Sequence, residues 1–220
     1  MEAAMRKVFF IDFDGTITKV DTCVAMVEAF ADEGWREIDQ LWARKEISTE
    51  ECANRIFRLF KAGPEEIRNL MESLEIDPYF KDFLAFCQER GYRVFVLSDG
   101  YDYNIELIFK KHGIAVPYYA NRLVYDGGFR IECPHINPSC ATCGTCKKSL
   151  MERLKQPDEQ AVYIGDGYSD TCPAAHADLV FAKGTLYSYC REKGIPSLAF
   201  ESFKDIIEAV REMEERGYGG

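Results

Sequence analysis

The chain has 220 residues, of which 47% are hydrophobic and 29% are charged, and its formal net charge is −10. This length suits one domain with an insertion, or two small domains, and allows a sizeable core. The acidic balance, without a run of lysines or arginines, argues against a nucleic-acid partner.

Short apolar runs alternate with helical patterns along much of the chain. We expect buried parallel strands at 7–12, 93–98, 161–166, 178–182 and 197–200. Helical patterns occupy 102–112, 147–156, 169–176, 185–193 and 202–216. This alternation predicts an α/β fold built on a doubly wound parallel sheet.

Two segments depart from the alternation. Residues 22–91 contain amphipathic helical patterns without a convincing strand, and Ser48 with Glu51 forms a capping-box pattern, so we predict a helical insertion after the first strand. Strand-like runs within 119–133 flank Asp-Gly-Gly, which predicts a β-hairpin. Residues 217–220 read as a loose tail.

No apolar signal segment opens the sequence, and no apolar run approaches the ~18 residues that indicate a membrane span. We therefore expect a cytoplasmic protein without a membrane partner.

Polar residues follow three of the predicted strands. They are Asp12 and Asp14 after the first, Ser98, Asp99 and Gly100 after the second, and Asp166 and Asp170 after the third. In open α/β sheets, ligands bind at the carboxyl ends of the strands. Acids crowded there repel one another and lose hydration, a cost that a cation offsets. Carboxylate oxygens suit Mg²⁺, so we predict a magnesium site with a phosphoryl ligand.

The ordered motifs D-F-D-G-T at 12–16, L-S-D-G at 97–100, Lys147 and G-D-G-Y-S-D at 165–170 resemble those of the haloacid dehalogenase superfamily. The resemblance covers the whole chain. It implies a Rossmannoid core formed by 1–17 and 91–220. It also implies a helical cap at 18–90, like that of the phosphoserine phosphatase branch.

The same resemblance implies roles for these residues. Asp12 is the expected nucleophile, which forms an aspartyl phosphate. Asp14 is expected to protonate the leaving oxygen, to activate water and to offer its backbone carbonyl to the metal. The acid at this position favours phosphoryl chemistry over carbon–halogen chemistry.

The remaining implied sites concern phosphate, metal and substrate. Phosphate binding falls to Ser98, Asp99, Gly100 and Lys147, and Mg²⁺ binding to Asp12, Asp14, Asp166 and Asp170. The resemblance leaves Asp170 open as a direct ligand or one acting through water, and also as a residue that orients the lysine. Asp21 corresponds to an acid that contacts substrate in phosphoserine phosphatases, but it is equally well explained as a helix N-cap.

A cysteine-rich segment precedes Lys147. Cys140, Cys143 and Cys146 have C-x-x-C-x-x-C spacing, and Cys133 lies upstream. Three interpretations are open: a structural Zn²⁺ site, reduced thiols that pack the loop, or a redox switch.

The early P-H and final C-G-x-C-K of this segment are similar to the methionine-salvage branch of the superfamily, which hydrolyses 2-hydroxy-3-keto-5-methylthiopentenyl-1-phosphate. Two features depart from that branch: Lys148 replaces a proline, and L-S-D-G stands where S-G-G is usual. Phosphoserine or another small phosphorylated metabolite therefore stays open as the substrate. So do a phosphotransferase and a catalytically silent protein that binds zinc or phosphate.

Overall fold

The computed structural model describes residues 6–140 and 142–216. The predicted tail at 217–220 lies outside these residues. Within the described ranges, no helix combines the length and apolar composition needed to cross a membrane.

Seven strands within the described residues form one sheet. They are Arg6–Ile11 (β1), Arg93–Tyr101 (β2), Tyr118–Tyr125 (β3), Phe129–Glu132 (β4), Glu159–Gly165 (β5), Leu179–Ala182 (β6) and Leu198–Ala199 (β7). Their order across the sheet is β4-β3-β2-β1-β5-β6-β7. The antiparallel pair β3 and β4 is the predicted hairpin, and the other neighbours pair in parallel. The predicted fold class is confirmed.

Helices connect these strands. They are Thr22–Phe30 (α1), Trp35–Ala43 (α2), Thr49–Phe57 (α3), Pro64–Ser73 (α4), Phe80–Glu89 (α5), Asp102–His112 (α6), Lys147–Leu154 (α7), Thr171–Ala174 (α8), Gly184–Lys193 (α9) and Phe203–Glu215 (α10). The helix expected at 169–176 is instead a 3₁₀ turn, Tyr168–Asp170, followed by the single turn of α8. The structure gives a reason, because the Asp170 carboxylate accepts backbone N–H bonds that tighten this turn.

Helices cover both faces of the sheet because β1 is apolar on both. Phe9 and Ile11 pack into one core cluster, whereas Val8 and Phe10 pack into another. This alternation follows from the two-residue period of a strand. A strand buried on both faces sits at the centre of the sheet, where β1 lies between β2 and β5.

The segment between β1 and β2 is helical, as predicted, and forms α1 to α5. Ser48 Oγ accepts the Glu51 backbone N–H at 3.2 Å, but the Glu51 carboxylate pairs with Arg55, so only half of the capping box forms. The last helix, α5, packs against the core, with the Phe83 ring 5.1 Å from both Phe9 and Phe203. The domain division at residue 90 stays a prediction, and this packing favours a boundary before α5.

Candidate active site

The acids after β1 and β5 meet at one edge of the sheet. Asp12 directly follows β1 and is only 5% exposed. Asp166 and Asp170 follow β5, and one oxygen from each of the three aspartates lies within 4.8 Å of the others. Because β1 and β5 are parallel neighbours, their carboxyl ends coincide. The structure brings together three acids that the sequence singles out, and their roles stay predictions.

Lys147 places a buried ammonium group between two of these acids. It begins α7, and its Nζ donates to Asp12 Oδ1 at 2.5 Å and to Asp170 Oδ1 at 2.6 Å. Burial alone lowers the pKa of Lys147, but the charges of Asp12 and Asp170 outweigh it, so the pKa lies above its usual value. The lysine stays charged and offsets part of the acidic charge. Lys148 instead forms an ion pair with Glu152.

Asp170 is fully buried and both of its oxygens are occupied. Oδ1 accepts from Lys147 and, at 2.5 Å, from the Tyr163 hydroxyl. Oδ2 accepts from the backbone N–H groups of Asp166 and Gly167 at 3.1 and 3.0 Å. This geometry favours a role in orienting Lys147 over direct metal binding. Tyr163 is missing from the sequence prediction because it lies in an apolar strand; its hydroxyl near the end of that strand was the available signal.

Asp14 is held by a different set of partners. Its Oδ1 accepts from the backbone N–H of Thr22 at 2.9 Å and from the Thr22 hydroxyl at 2.5 Å, and its Oδ2 accepts from Ser98 Oγ at 3.1 Å. Burial, followed by the charge of Asp21, raises the pKa of Asp14 to about 6. A carboxyl group with this pKa can hold a proton near neutral pH, as a general acid requires. Sequence reasoning does not identify Thr22.

The turn after Asp14 requires glycine. Gly15 has φ +75°, and a Cβ atom there would lie 2.5 Å from Asp166 Oδ2. Next to it, Thr16 Oγ1 donates to Asp166 Oδ1 at 2.9 Å. The Gly-Thr pair of the D-x-D-G-T motif thus joins the end of β1 to the end of β5.

The polar residues of β2 lie within a longer strand than predicted. β2 continues to Tyr101 with a register irregularity after Leu97. Ser98 has no exposed surface, and its Oγ accepts the Gly100 N–H at 2.9 Å. The phosphate-binding role of Ser98, Asp99 and Gly100 stays a prediction.

Asp99 connects three parts of the chain. Its Oδ2 accepts from Thr49 Oγ1 of α3 at 2.9 Å, and its Oδ1 accepts from the Thr145 backbone N–H at 2.8 Å. Asn121 Nδ2 of β3 donates to the Asp99 carbonyl at 2.7 Å. The segment after β1 and the cysteine-rich segment are therefore both tied to β2 beside Ser98, a link that the sequence does not reveal.

Of the two interpretations of Asp21 that the sequence leaves open, the structure shows the helix N-cap. Asp21 caps α1, where its carboxylate accepts the Val24 N–H at 2.9 Å. It also lines the cavity beside Asp14. A substrate contact by Asp21 stays a prediction.

A cavity of about 340 Å³ connects the acids with the helices that follow β1. Asp12, Asp14 and Asp166 line it together with residues of α1, α2 and α3. Among the described residues of this lining, none is lysine, arginine or histidine. We call three of its acids and the polar side chains beside them the polar floor: Asp12, Asp14, Ser98, Lys147, Asp166 and Asp170.

The cysteine loop, residues 133–146, does not assemble in the same way. Cys140 is exposed and Cys146 is buried, with the Cys146 Sγ 3.2 Å from Ser149 Oγ. Cys133 and Cys143 are half-buried, and all these thiols are free. Over residues 6–140 and 142–216, their sulfurs do not form a group of three ligand atoms within 4.8 Å of one another. The zinc interpretation gains no support from this geometry, and reduced thiols and a redox switch stay open beside it.

Comparison with known proteins agrees with the fold and the motifs. Residues 9–174 match the family described as haloacid dehalogenase-like hydrolase. A 2-hydroxy-3-keto-5-methylthiopentenyl-1-phosphate phosphatase of Geobacillus kaustophilus is 34% identical over 214 residues, which are 94% of this chain and 96% of that protein. A protein of the same name from Bacillus mycoides is 32% identical, with 94% and 96% covered. The chain belongs to the haloacid dehalogenase-like hydrolases.

Solved structures show the same fold at low identity. A phosphoserine phosphatase carrying a phospho-aspartyl intermediate analogue superposes with a TM-score of 0.67 at 20% identity, covering 93% of this chain and 98% of that one. A haloacid dehalogenase family hydrolase of Salmonella enterica serovar Typhi gives 0.71 at 17% identity, with 94% and 72% covered. The predicted family and the predicted class of phosphoric monoester hydrolase are confirmed by the family match and the relatives.

Proposed function

We propose that the chain hydrolyses 2-hydroxy-3-keto-5-methylthiopentenyl-1-phosphate through an aspartyl phosphate on Asp12. The observation that carries the substrate is the 34% identity, over nearly the full length of both chains, to the Geobacillus kaustophilus phosphatase of that name. The composition of the cavity supports the same substrate. Beyond the phosphate, the leaving group of that ester carries no charge, and none of the described residues that line the cavity is basic.

The arrangement of Asp12 suits nucleophilic attack. Its Oδ1 is engaged by Lys147, whereas its Oδ2 accepts no hydrogen bond from the described residues. In the proposed first step, a lone pair of Oδ2 forms the bond to phosphorus and the bond from phosphorus to the leaving oxygen breaks. Lys147 offsets negative charge beside the transferring group.

Asp14 suits the proton transfers of both steps. With a pKa raised to about 6 by burial and by the charge of Asp21, it can donate a proton to the leaving oxygen. In the second step, water attacks phosphorus, Asp14 takes the proton of that water, and the bond to Asp12 breaks to release phosphate. The hydrogen bonds from Thr22 and Ser98 keep the carboxyl group in place between the steps.

The residues present fit Mg²⁺. The Asp12, Asp166 and Asp170 oxygens converge, and burial, then the charge of Asp170, raises the pKa of Asp12 well above its usual value. A bound cation would offset the cost of holding these carboxylates ionised. Asp12, Asp166 and the Asp14 carbonyl would hold the ion, with Asp170 behind them. When bound, Mg²⁺ neutralises charge on the phosphoryl oxygens.

Phosphoserine is the second candidate substrate, because Asp21 lines the cavity where it could meet an ammonium group. A phosphoserine carboxylate, however, would enter a cavity whose described charged residues are all acids. Like charges without a partner disfavour that ligand.

Phosphate release measured with Mg²⁺ tests the proposal on 2-hydroxy-3-keto-5-methylthiopentenyl-1-phosphate, phosphoserine and an aryl phosphate. We expect the first ester to have the highest kcat/KM, and chelation to abolish turnover until Mg²⁺ is restored. A higher kcat/KM for phosphoserine would overturn the proposed substrate. Turnover that continues after chelation would overturn the proposed requirement for Mg²⁺.

A further inference from the structure

Besides the acids, a group of largely apolar side chains lines the cavity. We call this group the apolar wall, and it consists of Val27 of α1, Trp35 and Trp42 of α2, and Cys52 and Ile56 of α3. The same side chains belong to a small hydrophobic cluster separate from the main core. The three helices thus contribute an apolar surface to the cavity that the acids also line.

Two polar groups of the apolar wall, the Trp42 indole N–H and the Cys52 thiol, are paired or uncharged. Trp42 Nε1 donates to Thr49 Oγ1 at 3.0 Å, which in turn donates to Asp99, so the indole N–H has its partner. Burial, and then the charge of Asp39, raises the pKa of Cys52 to about 12, so its thiol is uncharged at neutral pH. Ile56 is 7% exposed and adds only hydrocarbon. These groups offer a ligand little to hydrogen-bond, whereas the Asp39 carboxylate also lines the cavity from α2.

The charges around the cavity reinforce this selection. Asp21, Asp39 and Asp99 line it together with the acids of the polar floor, and none of its described lining residues is basic. An anionic leaving group would meet like charges, whereas a neutral chain avoids them and removes apolar surface from water.

We propose that the apolar wall is the subsite for the uncharged hydrocarbon or thioether chain of the leaving group, and that contact with it sets substrate preference. This inference rests on the proposed phosphatase function. It assigns specificity to named side chains: Ile56 and Val27 as aliphatic contacts, and Trp35 and Trp42 as aromatic ones. A thioether suits such a wall, because sulfur is polarisable and packs favourably against aromatic rings.

The test is the dependence of kcat/KM on chain length in a series of unbranched alkyl phosphates from methyl to pentyl. For the wild-type protein with Mg²⁺, we expect kcat/KM to rise about fourfold for each methylene that reaches the wall, the increase that burial of one methylene supports. The Ile56→Ala variant should lower kcat/KM for pentyl phosphate about tenfold more than for methyl phosphate.

The matched control is Ile38→Ala. Ile38 packs against the same cluster but does not line the cavity. It should change methyl and pentyl phosphate hydrolysis by the same factor. Val27→Ala repeats the test at a less buried position if Ile56→Ala does not fold.

The outcomes separate the two proposals. Failure to release phosphate from any ester would overturn the phosphatase function and the subsite with it. Release that is independent of chain length would overturn the subsite and leave the phosphatase standing. Equal losses on methyl and pentyl phosphate in both wall variants would show that these side chains only support the fold, which also overturns the subsite.

Discussion

The polar floor and the cysteine loop are both sets of potential metal ligands, but the fold brings only the first set close together. In the polar floor, oxygens of Asp12, Asp166 and Asp170 lie within 4.8 Å of one another, and Lys147 joins two of them. In the cysteine loop, the thiols differ in burial and do not converge on a common point within the described residues. The two sets therefore differ in geometry as well as in ligand chemistry, which is carboxylate oxygen in one and thiol sulfur in the other.

The comparison shows which features of a fold bring metal-binding side chains together. Each acid of the polar floor follows a strand, and the hydrogen bonds between parallel neighbours fix where those strands end. The cysteine loop is anchored near its end, where the Cys146 N–H bonds to the His135 carbonyl. Its C-x-x-C spacing limits how far apart the thiols can be, but it does not force them together.

Among the substitutions that test this difference, replacing Asp12 with asparagine should have the largest effect on turnover. The amide cannot act as a nucleophile, so we expect turnover of an aryl phosphate to fall by about 10⁴-fold or more. The amide oxygen can still accept from Lys147, so the fold should remain, as circular dichroism and the unfolding midpoint will show.

The matched control is Asp158→Asn, because Asp158 is an exposed aspartate paired with Arg6 away from the cavity. It should leave turnover within about twofold of wild type. Residual activity of Asp12→Asn above about one hundredth of wild type would exclude Asp12 as the nucleophile.

Replacing Asp14 with asparagine should have the next largest effect, and the effect should depend on the leaving group. For an alkyl phosphate, whose leaving oxygen needs a proton, we expect a loss of about 10²–10⁴-fold. For an aryl phosphate with an acidic phenol, the first step should lose much less. Equal losses of phosphoenzyme formation for both esters, measured by rapid quench, would contradict a general-acid role.

The sequence predicts the fold and the polar floor well because both depend on local patterns. Apolar runs identify the strands, and an acid that follows a buried strand marks its carboxyl end. Tyr163 and Thr22 escape such reasoning, since a hydroxyl in an apolar run and a threonine at a helix start have ordinary structural explanations. Their role depends on which strands become neighbours, and no local pattern contains that information.

The apolar wall could not be predicted from the sequence, for a related reason. Trp35, Trp42 and Ile56 fit the helical periodicity of residues that pack a core, and the sequence cannot say which of them border a cavity. The bond from Thr49 to Asp99 joins residues 50 positions apart in the chain, so only the folded chain reveals it.

Thr49→Val tests the hydrogen bond from Thr49 to Asp99 and should have a moderate effect on stability and on kcat/KM. Valine keeps the shape but removes the donor to Asp99 and the acceptor for Trp42, at a cost of about 1–3 kcal/mol in the free energy of unfolding. We expect kcat/KM to fall about fivefold as α3 and β2 loosen beside Ser98. Thr185→Val, at an exposed position of α9, is the control. Unchanged kcat/KM despite lower stability would limit the link to a structural role.

The smallest effect is expected in the cysteine loop. In the double variant Cys140→Ser and Cys143→Ser, no converging ligand set is lost, so activity should stay within about twofold of wild type. Zinc content, measured by elemental analysis of protein purified without added metal or chelator, should be well below one per chain in both proteins. One zinc per wild-type chain, lost in the variant together with activity, would instead show that the loop closes around a metal. The cysteine loop would then be a second metal site. A metal there would affect the polar floor, because α7 begins at Lys147 directly after Cys146.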